Sequence, residues 1–226
     1  MSGLYVYGII DADPEELGSG LANEPLRTVG NGPVRAIVGG LSEPPRPEPS
    51  TLTAHDATVR RLADRIPALL PARFGQWLPD ERSVTDWLEA HHRDLSEALA
   101  QIAGCVQMTL RVYGASVQED QAPDPPVSGG PGTQYLAKRR QEFERERSLP
   151  EIAPLRDALR PLLRAERIER PAAPGRLRAT VYDLIAREAT DDYSRIVAET
   201  APRLEGFRVT ASGPWPPYAF APRPLA

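Results

Sequence analysis

The chain has 226 residues, and its 27 basic and 31 acidic side chains give a formal net charge of −4. Hydrophobic residues make up 41% of the chain, which is enough to form a core and argues against general disorder. The acidic balance disfavours a general nucleic-acid binder, because such proteins carry a basic excess. No apolar run approaches the roughly 18 residues of a membrane-spanning helix. We expect no secretory signal, and with the single Cys105 no internal disulfide, so a cytoplasmic location is expected.

Of the 25 prolines, 13 fall into three clusters, near residues 44–49, 123–131 and 214–224. Proline lacks the backbone donor that helices and central strands need, so these stretches are predicted to be loops. The middle cluster also contains glycines, and we predict a linker at 118–134 between domains at 1–117 and 135–226. We expect the last cluster to be a tail that docks on the C-terminal domain.

The first domain is predicted to have the order β-β-α-β-α-β. Apolar runs predict the strands, period-3.6 patterns predict the helices, and Pro71 makes the third strand an edge. We expect capping by Thr53 with Asp56 and by Ser83, and a helix stop at Gly104. The predicted elements are strand 4–10, strand 34–38, helix 53–66, strand 68–74, helix 83–102 and a half-buried strand at 106–112. This order indicates an α+β sandwich of the ferredoxin-like kind.

The second domain is predicted to be a helical segment followed by a smaller α+β unit. Its predicted elements are a charged helix at 135–147, further helix at 149–164, a strand within 176–189, a helix at 190–204 and a strand at 206–213. The whole chain is therefore assigned to the α+β class with two domains.

Residue chemistry gives little support for an enzyme. His91 and His92 are adjacent on one helix and point about 100° apart, so they cannot easily share one metal, and a three-histidine zinc site would require the fold to bring His55 close to them. Cys105 has no basic neighbour in sequence that would activate it. The sequence contains neither a G-x-S-x-G nucleophile elbow nor a glycine-rich phosphate loop. We therefore predict no catalytic, cofactor-binding or metal-binding residues.

Two apolar motifs are more distinctive than these polar groups. One is Leu70-Pro71-Ala72-Arg73-Phe74-Gly75, which is followed by Trp77. The other is the proline-rich tail with Trp215, Pro216, Pro217 and Tyr218. Stiff aromatic segments lose little entropy on docking, so both motifs are candidate partner-binding sites. The alternative is that Trp215 and Tyr218 dock onto their own domain, and we favour docking.

An ordered set of motifs resembles the gas vesicle GvpL/GvpF family. The A-R-F-G and G-P-W-P-P-Y elements are the most specific, and the set spans residues 4–220. The motifs are Leu4-Tyr5-Val6-Tyr7-Gly8-Ile9-Ile10, Ala54-His55-Asp56, Leu70-Pro71-Ala72-Arg73-Phe74-Gly75, Gly104-Cys105-Val106-Gln107-Met108, Gly132-Thr133-Gln134-Tyr135-Leu136 and Gly213-Pro214-Trp215-Pro216-Pro217-Tyr218-Ala219-Phe220. One departure is Asp56, where the family often has Glu.

The resemblance implies a non-enzymatic accessory protein of gas vesicles with a ferredoxin-like N-terminal domain. It implies a chaperone-like role: binding the hydrophobic shell protein GvpA, together with other accessory proteins, and limiting aggregation of GvpA while a vesicle nucleates. It also implies a minor vesicle component without cofactors, present in the cytoplasm and on the vesicle. Two alternatives stay open: a cofactor-free enzyme, and a ligand-sensing module on the same scaffold. The L and F branches are not separated by these motifs.

Overall fold

The computed structural model describes residues 3–114, 149–173 and 175–222. The predicted linker at 118–134 and helix at 135–147 lie outside these residues. The chain forms two compact units: Met1–Gln107 together with Pro214–Ala226, and Met108–Gly213. Helices and sheets occur in separate runs rather than in a regular alternation, which confirms the predicted α+β class.

The first unit is built on a sheet with the order β2-β3-β1-β4, and a short fifth strand also pairs with β1. Its strands are β1 Gly3–Ile10, β2 Leu26–Val29, β3 Arg35–Leu41, β4 Leu69–Pro71 and β5 Trp77–Leu78. β1 is a central strand with strands on both sides, and all of its residues are buried. The pairing of β1 with β3 shifts at Tyr7, which is the extra residue of a β-bulge. β2 and β5 were not predicted.

Helix α1 spans Pro49–Arg65 and packs against this sheet. The predicted cap at Thr53 is wrong. Glu48 is the N-cap, its backbone N–H donates to the Thr51 hydroxyl at 3.1 Å, and Pro49 occupies the first helical position. Proline suits that position because its fixed φ is helical and its missing N–H is not needed there.

The predicted helix at 83–102 is two helices, α2 Glu81–Ala90 and α3 His92–Ile102. They are separated at His91, whose φ of −113° and ψ of 10° are not helical. The ring of His91 stacks on Trp87 and its Nδ1 lies 2.9 Å from the Trp87 carbonyl oxygen, which stabilises the break. The predicted cap at Ser83 is also wrong: Asp80 is the N-cap, and it accepts from the Ser83 backbone N–H at 2.7 Å. Gly104 follows the end of α3 at a φ of +70°, as the predicted helix stop requires.

The second sheet has the order β7-β8-β6-β9. Its strands are β6 Cys105–Gly114, β7 Leu163–Glu169, β8 Leu177–Ala186 and β9 Phe207–Trp215. The same part of the chain contains two α-helices, α4 Ala153–Leu159 and α5 Thr190–Thr200. Short 3₁₀ turns span Pro150–Ile152, Arg160–Leu162, Arg187–Ala189 and Ala201–Arg203. The predicted helix at 149–164 is α4 flanked by two 3₁₀ turns, and it ends where β7 begins at Leu163; its three prolines suit this division into short pieces. β6 is not half-buried as its alternation predicted, since Gln107 and Thr109 are buried as well.

The tail does not dock on the C-terminal domain as predicted. The chain passes from the first unit to the second within β6 and returns within β9, so residues 214–222 pack with the first unit. There, the backbone N–H of Ala219 donates to Gln107 Oε1 at 2.8 Å, and Phe220 is only 3% exposed. The predicted domain at 135–226 therefore divides at the end of β9.

Candidate partner-binding surface

Two motifs that are far apart in sequence meet at β1 of the first unit. Tyr5 and Tyr7 project from β1 beside His55 of α1 and Phe74 of the loop after β4. The His55 ring lies 5.8 Å from Tyr7, nearly parallel to it, and 5.6 Å from Phe74, nearly perpendicular. The Tyr5 and Tyr7 rings are 5.0 Å apart. We call these four residues the tyrosine cluster.

Both ring nitrogens of His55 have hydrogen-bond partners in or beside the tyrosine cluster. The Ala72 carbonyl oxygen lies 3.1 Å from His55 Nε2, and a carbonyl can only accept, so Nε2 carries the proton. His55 Nδ1 then accepts from the Tyr5 hydroxyl at 3.0 Å, and that hydroxyl accepts from the Gly75 backbone N–H at 3.1 Å. Burial lowers the pKa of His55 below its usual value, which favours this neutral form of the ring.

Tyr7 ties the loop before β2 to the tyrosine cluster. Its hydroxyl donates to Glu24 Oε1 at 2.5 Å and accepts from the Leu21 backbone N–H at 2.8 Å. Burial and the Glu24 carboxylate raise the pKa of Tyr7. Gly39 leaves room for Glu24, because a Cβ there would lie 2.5 Å from Glu24 Oε1. Sequence reasoning missed Glu24, since nothing local indicates a buried partner on another strand. These paired groups position loops and leave His55 as a structural residue.

The tail residues singled out in the sequence are held by α1. The Arg60 guanidinium lies 4.1 Å from the centre of the Trp215 ring, and Arg60 also donates to Asp56 at 2.7 Å. Tyr218 packs against the hydrophobic core of the first unit, and its burial and the nearby Asp56 raise its pKa. Pro216 and Pro217 between them are buried. The tail therefore acts as part of the first unit.

The loop between β4 and β5 contains one well exposed side chain among the candidate residues. Arg73 is exposed, and it has no ion-pair partner among the described residues. Gly75 has a φ of +92°, which favours glycine, and Phe74 is half-buried in the tyrosine cluster. Trp77 pairs with Tyr5 across the strands, and its ring covers Gly3 so closely that a Cβ there would overlap it.

An apolar groove lies between β4, α2, α3 and the tail, and we call it the β4 groove. It encloses about 410 Å³, including space open to solvent, and the Gln76 Oε1 atom beside it has no hydrogen-bond partner among the described residues. Its lining residues are Ile9, Leu70, Pro71, Ala72, Arg73, Gln76, Trp87, Leu95, Ala221 and Pro222. Of the predicted candidates, Arg73 lines this groove, whereas Phe74, Trp77, Trp215 and Tyr218 do not. Trp87 and Leu95 lie within the predicted helix at 83–102 and were not among the predicted candidates.

A buried polar cluster lies in the second unit. Asp183 of β8 is 1% exposed, and its Oδ2 accepts from the Tyr193 hydroxyl at 2.6 Å. Its Oδ1 has no hydrogen-bond partner in the part of the chain that is described. Burial raises the pKa of Asp183 to about 7. Glu166 lies opposite Asp183 on β7 and is paired with Arg156 at 2.5 Å, so two carboxylates share one side of the sheet with one guanidinium.

Within residues 3–114, 149–173 and 175–222, no group of three or more His, Cys, Asp or Glu side chains is placed to hold a metal ion. His55 is enclosed in the tyrosine cluster, while His91 and His92 are exposed. None of the helices in these described ranges is long and apolar enough to cross a membrane.

Comparison with known proteins identifies the family. The model of the family described as gas vesicle synthesis protein GvpL/GvpF matches residues 3–222. The chain belongs to the GvpL/GvpF family. Gas vesicle protein L of Streptomyces sp. (strain CB03234) is 26% identical over 96% of this chain and 92% of its own, and gas vesicle protein F of the same strain is 25% identical over 96% and 98%. Relatives from both branches match at nearly the same identity.

A solved structure supports the fold of this GvpL/GvpF family member. The crystal structure of GvpF from Anabaena sp. PCC7120 matches with a TM-score of 0.73 and 22% identity, covering 99% of this chain and 97% of that one. The resemblance inferred from the ordered motifs is confirmed. The chain is thus a member of a protein family involved in gas vesicle formation.

Proposed function

We propose that this GvpL/GvpF family member binds the hydrophobic shell protein GvpA and limits its aggregation while a vesicle nucleates. The observation that carries the proposal is the β4 groove, an apolar surface beside an edge strand with the exposed Arg73 at its rim. Apolar grooves rimmed by polar residues are typical of protein-binding sites. In this proposal the protein acts in the cytoplasm, is carried onto the vesicle as a minor component, and meets other gas vesicle accessory proteins there.

The size of the groove suggests transient binding. The groove is narrow and partly open to solvent, so it contacts only a small part of an apolar segment. Burial at about 25 cal/mol per Å² then contributes a few kcal/mol, part of which is lost to the entropy of association. A complex of that strength shields an apolar segment and still releases it to a growing shell. The net charge of −4 helps keep such a complex in solution.

The test is co-purification of GvpA with tagged protein from cells that express both. Ala221→Trp fills the groove from the half-buried tail, and Arg73→Glu reverses the charge at the rim. Each variant should recover at least fivefold less GvpA than the wild-type chain. Arg46→Glu makes the same charge change at an exposed position away from the groove and should recover GvpA at the wild-type level.

Two results would contradict the proposal in different ways. Absence of GvpA from the wild-type eluate, with both proteins soluble, would refute GvpA binding. Wild-type recovery by the Ala221→Trp variant would leave GvpA binding intact and remove the β4 groove as its site.

A further inference from the structure

The second unit has an arginine-lined cleft that plays no part in the function proposed above. It lies where the end of β6 meets the start of β9, and its lining residues are Tyr113, Gly114, Arg176, Gly206, Phe207 and Arg208. The Gly114 backbone N–H donates to the Arg176 carbonyl oxygen at 2.9 Å, which joins the segment before β8 to the end of β6. We call this site the arginine cleft.

The absence of a side chain at Gly114 lets Phe207 and Arg178 pack against the end of β6. A Cβ at Gly114 would lie 2.6 Å from the Phe207 ring and 3.4 Å from Arg178 Cγ. The Phe207 ring and the Arg178 stem therefore close over Gly114 at a distance that another residue would not permit. Gly206, with a φ of +75°, turns the chain into β9.

Two arginines line this cleft, a third, Arg178, lies beside Gly114, and none of the three has a charge partner among the described residues. Arg176, Arg178 and Arg208 form no ion pair in the part of the chain that the structure describes. In the same unit, Arg156 is paired with Glu166 at 2.5 Å, and Arg195 with Asp192 at 2.9 Å. A local positive charge on a chain whose net charge is −4 thus lies at a preformed depression.

One guanidinium is already held in a binding position. Arg208 lies 4.9 Å from the centre of the Tyr113 ring, so stacking restrains its side chain. A stacked guanidinium still presents its N–H groups at its edge, and a carboxylate accepts two of them at once. Arg176 and Arg208 are both exposed, so these groups face solvent.

We propose that the arginine cleft binds an acidic segment of a partner protein. Carboxylates of that segment accept from Arg176 and Arg208, and an apolar side chain beside them covers the partly buried Phe207. Charge complementarity favours this partner, because an acidic segment is repelled by the rest of this acidic chain and attracted at the cleft. Nucleic acid is disfavoured, since its long phosphate backbone needs a basic face rather than one local cluster.

Binding of fluorescein-labelled octaglutamate, followed by fluorescence anisotropy on the full chain, tests the proposal. The double variant Arg176→Gln/Arg208→Gln should bind at least tenfold more weakly than wild type. Both side chains are exposed, so the variant should fold normally. The matched control Arg82→Gln/Arg93→Gln removes two arginines whose side chains are 89% and 90% exposed in the first unit, and it should bind within twofold of wild type.

Salt and a second probe complete the test. Raising the salt concentration from 50 to 300 mM should weaken octaglutamate binding several-fold, as expected of exposed charges. Equal binding by the cleft variant and the wild-type chain would overturn the proposal. A single-stranded DNA oligonucleotide that binds as tightly as octaglutamate, and equally needs Arg176 and Arg208, would also overturn it and indicate a general polyanion site.

Discussion

Removing the Trp215 ring should destabilise the first unit, although Trp215 lies near the C-terminal end of the chain. The ring is mostly buried and lies under the Arg60 guanidinium at 4.1 Å. Trp215→Ala exposes about 150 Å² of apolar surface, which at about 25 cal/mol per Å² costs close to 4 kcal/mol. Loss of the cation–π contact adds about 0.5–1 kcal/mol, and local relaxation offsets part of the total. We expect a loss of about 3–5 kcal/mol in the free energy of unfolding.

The tryptophans provide a selective assay for this loss. The chain has three, Trp77, Trp87 and Trp215, and all lie in the first unit. Tryptophan fluorescence during urea unfolding therefore reports on that unit alone, and two tryptophans remain in the variant. Following one unit at a time also avoids treating a two-unit chain as a single two-state system.

Two further variants sharpen the Trp215 test. Trp215→Phe keeps a ring under Arg60 and should cost about 1–2 kcal/mol. Thr210→Ala, at an exposed position on the same strand, should leave the fluorescence midpoint unchanged. A Trp215→Ala midpoint within about 0.5 kcal/mol of wild type would refute the inference that the tail is integral to the first unit.

Three further predictions concern His55, Asp183 and Gly75. The pKa of His55 is lowered in the folded state, so the unfolded chain binds a proton at a higher pH, and the first unit should lose stability as the pH falls below about 6.5. The fluorescence-detected urea midpoint should therefore fall less between pH 7.5 and 5.5 in the His55→Gln variant than in the wild-type chain. Asp183 has its pKa raised to about 7, so the second unit should lose stability as the pH rises from about 4 to 7. Asp183→Asn should remove that loss, seen as slower amide hydrogen exchange in β8 and α5 at pH 8, and equal exchange rates in both proteins would contradict it. Gly75→Ala places a Cβ in open space at a φ of +92°, so backbone strain alone should lower the free energy of unfolding by about 1 kcal/mol. The control Gly32→Ala also places a Cβ in open space but has no left-handed φ, so it should be neutral. Urea unfolding measures both variants.

Strong local patterns predicted much of the first unit. The continuous apolar run of β1 and the proline at the edge of β4 were recognisable in the sequence, because burial and hydrogen bonding impose them directly. β2 was missed because only its two end residues are buried, so it neither alternates nor forms an apolar run. The division between α2 and α3 was missed because the apolar period continues through His91.

The candidate site was only partly predictable, because its contacts join distant parts of the chain. The sequence singled out Phe74 and Gly75 but not their contacts with Tyr5 and His55, which come from two other elements. Nothing local to the tail indicates that Ala219 bonds to Gln107, 112 residues earlier. The arginine cleft was missed for the same reason, since its residues come from three separate segments.

The return of residues 214–222 to the first unit has a consequence for synthesis on the ribosome. Domains generally begin to fold from the N-terminus as the chain emerges. Here the first unit cannot complete its packing until the tail has been translated, because Trp215 and Tyr218 pack against α1 and the core of that unit and Phe220 is buried. All of the second unit is therefore translated before the first unit has its full set of residues. A premature stop near residue 213 would leave the second unit whole and damage the N-terminal one.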